Sequence, residues 1–457
     1  MGKKYDYDYI IIGSGPAGSA AALGLAKSRK RIAIVDGGPF GGSHLNTRNI
    51  PYGVALDFAY SYSKLTTYPE FSRQDLSFSF PTMVSRQLKA ISRTGGNNTT
   101  IYEQSGITCI NGYANFLDAH TIAVGEVQYT SSNFVLATGS HLKATEISGL
   151  DSVNYLTPTT AIRTRRLPKA VFVVGGGSTG CEIAEYFASL GTKVLIADTA
   201  ERILPREDKE IGATIADYFT SELGITVLPS SKVVALEQDN LSKKVIFVSG
   251  HAEKLVRVDC IVLATGSQPT IDYGLENAGV KYQSSGVKVN KYFETSAKNI
   301  YAIGDCINPE SSTERAEYEG SLLASNIVNK TKNHPNYNGF IRITNTYPEV
   351  AVVGFNEDDL IRRDRKYKKS LINLSDTIAG KAYDSGYGFV KILSDKQANH
   401  ILGACIVAPH AAYMAEEIAI AIRHNLTITE IASTPHPADY YSYAIKLAAR
   451  NLVIKKK

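Results

Sequence analysis

Cysteine is scarce and scattered. Five occur in 457 residues, at Cys109, Cys181, Cys260, Cys306 and Cys405, and no two lie within five positions of each other. That spacing excludes a local CxxC redox pair and a zinc knuckle. The odd number and the apolar neighbours point to reduced, mostly buried thiols in a cytoplasmic protein. Long apolar runs are lacking too. No stretch reaches the roughly 18 apolar residues that a membrane span needs. The first apolar run, residues 9–12, follows Asp6 and Asp8 and breaks at Gly13, so it does not read as a signal peptide. Charge of one sign is also missing. Against 49 basic side chains stand 44 acidic ones, a net charge of only +5. No basic stripe is interleaved with aromatics, which argues against nucleic acid as a partner. The lysines at 455–457 read as a frayed, solvated tail rather than an anchor.

The remaining composition, 44% hydrophobic and 20% charged, is that of a globular protein. The length suits about three domains. The stretch DYIIIGSGPAGSAAALGLAKSRKRIAIVD predicts an apolar strand, a glycine turn, an Ala/Leu-rich helix, a second strand and Asp36. In such a unit Gly13 permits the tight turn and Gly15 lets the backbone approach a pyrophosphate. Gly18 lets helix and strand pack closely. The helix N-terminus offers free N–H groups and a positive dipole end to phosphates. Asp36 is placed to accept from ribose hydroxyls.

The same pattern recurs in KAVFVVGGGSTGCEIAEYFASLGTKVLIAD, with Gly175, Gly177, Gly180 and Asp198 in the same roles. Asp36 stands 23 positions after Gly13, and Asp198 the same 23 after Gly175. One glycine turn alone would be a weak signal; two in full strand–helix–strand context predict two dinucleotide sites. Asp198 would hold the ribose diol of NAD(H) and repel the 2′-phosphate of NADP(H). Arg202 is the residue that could offset this, or it is a solvated surface charge.

Further motifs carry a family resemblance. NIYAIGDCI places an apolar strand before Gly304-Asp305. Two ATG segments end in Thr138-Gly139-Ser140 and Thr265-Gly266-Ser267. Gly112 and Ala114 form a turn, and TNTYPEVAVVGFNEDDL opens the C-terminal part. Together these resemble the FAD/NAD-linked pyridine nucleotide-disulfide oxidoreductases, along nearly the whole chain. The resemblance implies an α/β fold: two Rossmann-like domains, for FAD and NAD, plus a C-terminal α+β dimerisation domain. The implied order is FAD domain 1–150, NAD domain 151–270, FAD return segment 271–337 and interface domain 338–457. It implies that Asp305 binds the flavin ribityl chain, that Ala114 lies by the adenine, and that the chain is a homodimer.

The resemblance fails in one stretch. The family's GGTCxNxGCxPSK reads GGSHLNTRNIPYG here. Ser43 can still meet FAD phosphate. His44 and Asn49 stand at the two cysteine places, Gly53 at the lysine place, and Arg48 where glycine is usual. Neither imidazole nor carboxamide forms a disulfide, so thiol exchange at this site is excluded. The family's HPTxxE reads His436-Pro437-Ala438-Asp439-Tyr440-Tyr441. Tyr441 takes the glutamate's place, and Asp439, read as helical, would point elsewhere. His436 and His44 would face each other across the dimer, either as a proton-donating pair or as leftover polar residues. Ser178 replaces the tyrosine lid over the flavin, leaving it less shielded from small acceptors. Glu182 loses its lysine and would pair with Arg48 or cap local structure. Tyr60, Tyr62, Tyr440, Tyr441 and Tyr443 would line an aromatic cavity or simply pack.

The expectation is an FAD-dependent NAD(P)H oxidoreductase, passing hydride from NADH to FAD and then directly to a small-molecule acceptor. Quinone, oxygen, a metal ion or another pyridine nucleotide would serve. The residues expected at its chemical centre are His44, Asn49, Glu182 and His436, with no resident metal. The alternative is a non-catalytic FAD/NAD-binding dimer, a redox sensor or degenerate paralogue.

Overall fold

The computed structural model describes residues 5–66, 68, 70–71, 76–240, 242–309, 312–383, 386–397 and 399–454; the lysine tail at 455–457 lies outside them. The chain divides into two compact units. The first comprises Met1–Val54, Val84–Ala144 and Gly266–Tyr337; the second comprises Ala55–Met83, Thr145–Thr265 and Asn338–Lys457.

In the first unit, strand Tyr7–Ile12 pairs in parallel with Ile32–Asp36 on one side and Val127–Leu136 on the other. Ile107–Asn111 and Ile300–Ala302 extend the parallel sheet outward. Antiparallel strands Thr121–Val124 and Ala114–Asp118 add to it. Ile10, Ile11, Ile34 and Val35 are fully buried. That is why these strands read as continuous apolar runs: both sheet faces are covered. Helix Pro16–Ala26 starts directly after Gly15, with proline in its first turn, where a missing N–H costs nothing. It packs on helix Thr313–Asn329 so closely that a Cβ on Gly320 would sit 2.2 Å from the Ala17 carbonyl oxygen.

The second unit repeats the plan on a smaller sheet. Parallel strands run in the order Thr226–Leu228, Lys193–Ala197, Ala170–Val174, Cys260–Leu263. Helix Ser178–Ser189 joins two of them and is buried along most of its length. Strands Ser231–Asp239, Ser242–Ser249 and Ala252–Val258 form an antiparallel meander. The C-terminal part is a five-stranded antiparallel sheet. Its Val390, Ile392, Ala404 and Ile406 pack with Met414 and Ile418 of helix Ala411–Arg423 and with Ala448 and Leu452 of helix Tyr443–Ile454. The expected α/β class, two Rossmann-like sheets plus an α+β part, is what the chain adopts.

One buried charge cluster braces this unit. Lys391 is 0% exposed, and its Nζ lies 2.6 Å from Asp208, 3.0 Å from Glu210 and 2.8 Å from Glu357. Asp208 also accepts from the Cys405 thiol and from the Glu357 amide. These three acids are the one group of potential metal ligands found among the described residues. The lysine ammonium already lies within ion-pair distance of all three. Burial raises the Glu357 carboxyl, but hydrogen bonds from Lys391, Lys369 and Tyr367 outweigh it and hold the group down at about 2. A depressed carboxyl adds stability that is fully present above its ordinary value of 4.5 and is lost as pH falls towards 2. Lys391→Met removes the buried cation that Asp208, Glu210 and Glu357 share and should cost about 3–5 kcal/mol. Thermal unfolding at neutral pH should show the loss, and it should shrink on acidification as the carboxylates protonate.

Candidate functional site

The two glycine turns share one geometry. In the first unit Gly13 has φ +101°, and a Cβ there would lie 2.2 Å from the Ala137 carbonyl oxygen. A Cβ on Gly18 would lie 1.9 Å from the Gly13 oxygen. In the second unit Gly175 has φ +108° with the Ala264 oxygen at 2.3 Å, and Gly180 faces the Gly175 oxygen at 1.9 Å. Only glycine fits these four places. The middle glycines differ. A Cβ on Gly15 or Gly177 would meet nothing within 4 Å. That open space sits at a helix N-terminus with unpaired N–H groups, where a pyrophosphate would lie. The residues present therefore fit a dinucleotide at each turn.

Both acidic ends bind their own turns. Asp36 Oδ2 accepts from Ser14 N and Oγ at 2.7 and 2.6 Å, and its Oδ1 from Gly38 N at 2.8 Å. Asp198 Oδ2 accepts from Gly176 N at 2.6 Å and Oδ1 from Ala200 N at 2.8 Å. Each carboxylate oxygen keeps lone-pair capacity for a ribose hydroxyl. Arg202 is not a free surface charge. Its Nη2 reaches the Pro205 and Glu207 carbonyls and Asp358.

The altered stretch folds against the first turn. Gly42 packs so tightly that a Cβ would sit 2.5 Å from Gly15 Cα. Buried Asn46, which motif reading passed over, donates to the Phe40 and Gly42 carbonyls and pins the short helix Gly42–Asn46. Ser43 is exposed at its start. His44 Nδ1 lies 3.2 Å from Thr313 Oγ1. Arg48 Nη2 donates to Ser267 Oγ at 3.4 Å. Asn49 is exposed where helix Asn49–Leu65 begins.

Around the GD motif, Ser140 Oγ donates to Asp305 Oδ2 at 2.8 Å. Burial pushes the Asp305 carboxyl up to about 6, against the opposing pull of Ser140 and the nearby Arg48 charge. Thr138 Oγ1 donates to the Thr270 carbonyl, and Gly139 (φ +70°) turns the chain between them. Gly304 N donates to Glu319, which is 0% exposed and also takes Arg315 Nε and the Tyr337 hydroxyl. Glu319 escaped sequence reading because it belongs to no motif. The available signal was an acid on the buried stripe Ala316, Gly320, Leu323 of its helix. Gly112 donates to the Asp36 carbonyl and leads into Ala114, the first residue of its strand. Gly266 (φ +93°) accepts from Lys143 N.

In the second unit Glu182 is buried and accepts from Asn345 N at 2.8 Å and Nδ2 at 2.9 Å. Burial raises its carboxyl, and burial raises neighbouring Glu185, which accepts from Tyr347 N. Of the two expectations for Glu182, the local cap is the contact observed. The 435–442 stretch corrects another expectation. It is extended and then turned, not helical, and the helix starts only at Tyr443. Pro437 disfavours helical backbone at His436, and residues 438–442 follow as turns. His436 has a carboxylate partner that motif spacing did not reveal. Its Nε2 lies 3.1 and 3.0 Å from the Glu417 oxygens, and its Nδ1 lies 3.0 Å from the Thr434 carbonyl oxygen. Both ring nitrogens face acceptors, and the side chain is only 5% exposed. Three of the five tyrosines pack: Tyr60 stacks on Tyr347 at 4.3 Å, Tyr62 meets Phe78, and Tyr441 approaches Tyr383, while Tyr440 is exposed.

Gly177→Val should leave the unfolding temperature of the unliganded protein unchanged while weakening NAD+ binding on the order of tenfold. Gly180→Val should instead fail to fold, because its side chain meets the Gly175 carbonyl. Unaltered NAD+ binding by Gly177→Val would put the phosphates elsewhere.

A sequence model of the pyridine nucleotide-disulphide oxidoreductases matches residues 7–320, and that of their dimerisation domain matches residues 341–449. A mercuric reductase of Streptomyces lividans is 29% identical over 455 residues, covering 97% of this chain and 96% of the relative. The mitochondrial dihydrolipoyl dehydrogenase 2 of Arabidopsis thaliana is 28% identical over 459 residues, covering 97% and 90%. LpdA of Mycobacterium tuberculosis has a similar structure, with TM-score 0.87 and 23% identity over 97% of this chain and 99% of that one. The HOCl-induced flavoprotein disulfide reductase RclA of Escherichia coli does too, with TM-score 0.85 and 21% identity over 97% and 99%.

Proposed function

The chain belongs to the pyridine nucleotide-disulphide oxidoreductase family, and from that premise we propose that it moves electrons from NADH through FAD directly to a small acceptor, without a disulfide relay. Family members use FAD and NAD(P)H. The matched dimerisation domain supports a homodimer, and among the described residues no helix is long and apolar enough to cross a membrane. We read 1–150 and 271–337 as the FAD domain, 151–270 as the NAD domain and 338–457 as the interface domain.

The observation that carries the proposal is the state of the thiols. All five cysteines are free. Burial raises every one of them, Cys260 to about 11, Cys306 to about 12, and Cys181 and Cys405 well above the usual range. Thiol–disulfide exchange runs through the thiolate, so none of these groups suits a relay. The stretch 41–53 holds no cysteine at all.

Bound FAD would supply the ring that accepts hydride and releases electrons. The chain's own residues then bind and orient. The unpaired amides of the helix N-termini beside Gly15 and Gly177 would hold the two pyrophosphates. Asp198 would take the NADH ribose, and the engagement of Arg202 by Asp358 and two carbonyls favours NADH over NADPH. Asp305 and Ser140 would hold the ribityl chain, with Glu319 fixing Gly304 behind them. His44, Arg48 and Asn49, at the places of the family's cysteine segment, would present polar groups to the acceptor: a quinone, oxygen, a metal ion or a second pyridine nucleotide.

The internal bonding of Glu182, His44 and His436 favours the second reading, a binding dimer without turnover. Anaerobic mixing of FAD-loaded protein with NADH separates the two. The flavin absorbance should bleach within minutes, and protein pretreated with iodoacetamide should bleach and turn over within about twofold of the untreated rate. No bleaching leaves the binding dimer; loss of turnover on alkylation restores thiol chemistry.

A further inference from the structure

Three side chains on one face of helix Ser178–Ser189 are tied to one short segment. Ser178 Oγ lies 2.7 Å from Thr344 Oγ1, Glu182 accepts from Asn345, and Glu185 accepts from Tyr347 N. The spacing i, i+4, i+7 puts the three on a single stripe. Asn345 is caught twice, because its backbone N–H and its Nδ2 both donate to the same Glu182 Oε1. The carboxylate can only accept, so Nδ2 must face it and the amide orientation is settled. Oδ1 therefore points the other way. It has no partner among the described residues, although Asn345 is exposed. A buried acid thus holds a fixed, outward carbonyl that the fold itself does not use.

The place of that carbonyl matters. Asp198 sits against Gly176 and marks the flank of the adenosine ribose. Thr344 and Asn345 sit against Ser178 and Glu182, the helical residues that follow Gly177. Their contacts are with the first turn and second turn of the helix that the phosphate turn opens, whereas Asp198 bonds the turn itself at Gly176.

We propose that Asn345 recognises the nicotinamide ring: its Oδ1 accepts a hydrogen bond from the nicotinamide carboxamide N–H, and Glu182 is the positioning residue that holds it there. This rests on reading the 175–180 turn as the NADH site. It gives Glu182 a task that needs no lysine partner and no proton transfer. It also accounts for an exposed asparagine immobilised by a buried carboxylate.

The test compares two ligands on the FAD-loaded protein. NAD+ carries the nicotinamide; ADP-ribose has the same adenosine and phosphates but no ring. Asn345→Ala should weaken NAD+ about fivefold, the effect of one neutral hydrogen bond, and leave ADP-ribose unchanged. The 3-acetylpyridine analogue of NAD+ lacks the N–H donor. Wild-type protein should bind it as weakly as Asn345→Ala binds NAD+, and the variant should bind both alike. Glu182→Gln, which loosens the clamp without emptying it, should show a smaller loss in the same direction. Equal weakening of NAD+ and ADP-ribose would make Asn345 a structural strut, and unchanged NAD+ binding would remove it from the site; either overturns the inference. Wild-type protein that binds neither ligand overturns the nucleotide reading itself, and this inference with it.

Discussion

Two backbone contacts without clearance govern both candidate sites. The Gly18 and Gly180 α-carbons press on the carbonyls of Gly13 and Gly175, at distances that admit no side chain. This forces each helix to begin hard against the end of its strand. The unpaired N–H groups of the first helical turn then converge on one point, with the helix dipole behind them. The space left open at Gly15 and Gly177 follows from this contact. So does the reach of Asp36 and Asp198, whose carboxylates find the turn amides only because strand, turn and helix are drawn together.

A second regularity builds on the first. Acids here hold backbone. Asp36, Asp198, Glu182, Glu185 and Glu319 each accept from at least one main-chain N–H. Burying a carboxylate without compensation costs several kcal/mol, and amide donors provide that compensation without a mobile cation. Lys391 shows the other solution, an ammonium shared among three acids, used where strands must be braced rather than a ligand admitted.

The sequence made the repeated parts legible. The glycine turns, the strands on either side and their acidic ends were visible because the same steric demand selects the same residues twice. The five-stranded C-terminal sheet was legible only through family resemblance, since its apolar strands could equally form other layers. Contacts made across long sequence separation were not legible. Glu417 lies 19 residues before His436, Asn345 lies 163 after Glu182, and Glu319 serves Gly304 from within a helix. In each case the partner is set by tertiary packing, which no local spacing encodes. In the 435–442 stretch a helical spacing does not apply to Asp439, because residues 438–442 form turns and the helix begins at Tyr443.

The altered stretch gains meaning from what changed with it. In the family pattern a lysine near the cysteines neutralises the glutamate at position 182. Here Gly53 removes that charge, which would strand a buried carboxylate. The two N–H groups of Asn345 meet one of its oxygens, so the acid stays buried with its hydrogen-bonding need answered by neutral donors. Meanwhile Arg48 brings a cation beside Asp305, whose buried carboxyl sits high enough to need one. Relative to the family pattern, the cation stands near the aspartate rather than the glutamate. Burial, rather than loss of a particular cation, is what the fold compensates at both acids: amide donors answer Glu182, and Ser140 with the nearby Arg48 charge answers Asp305.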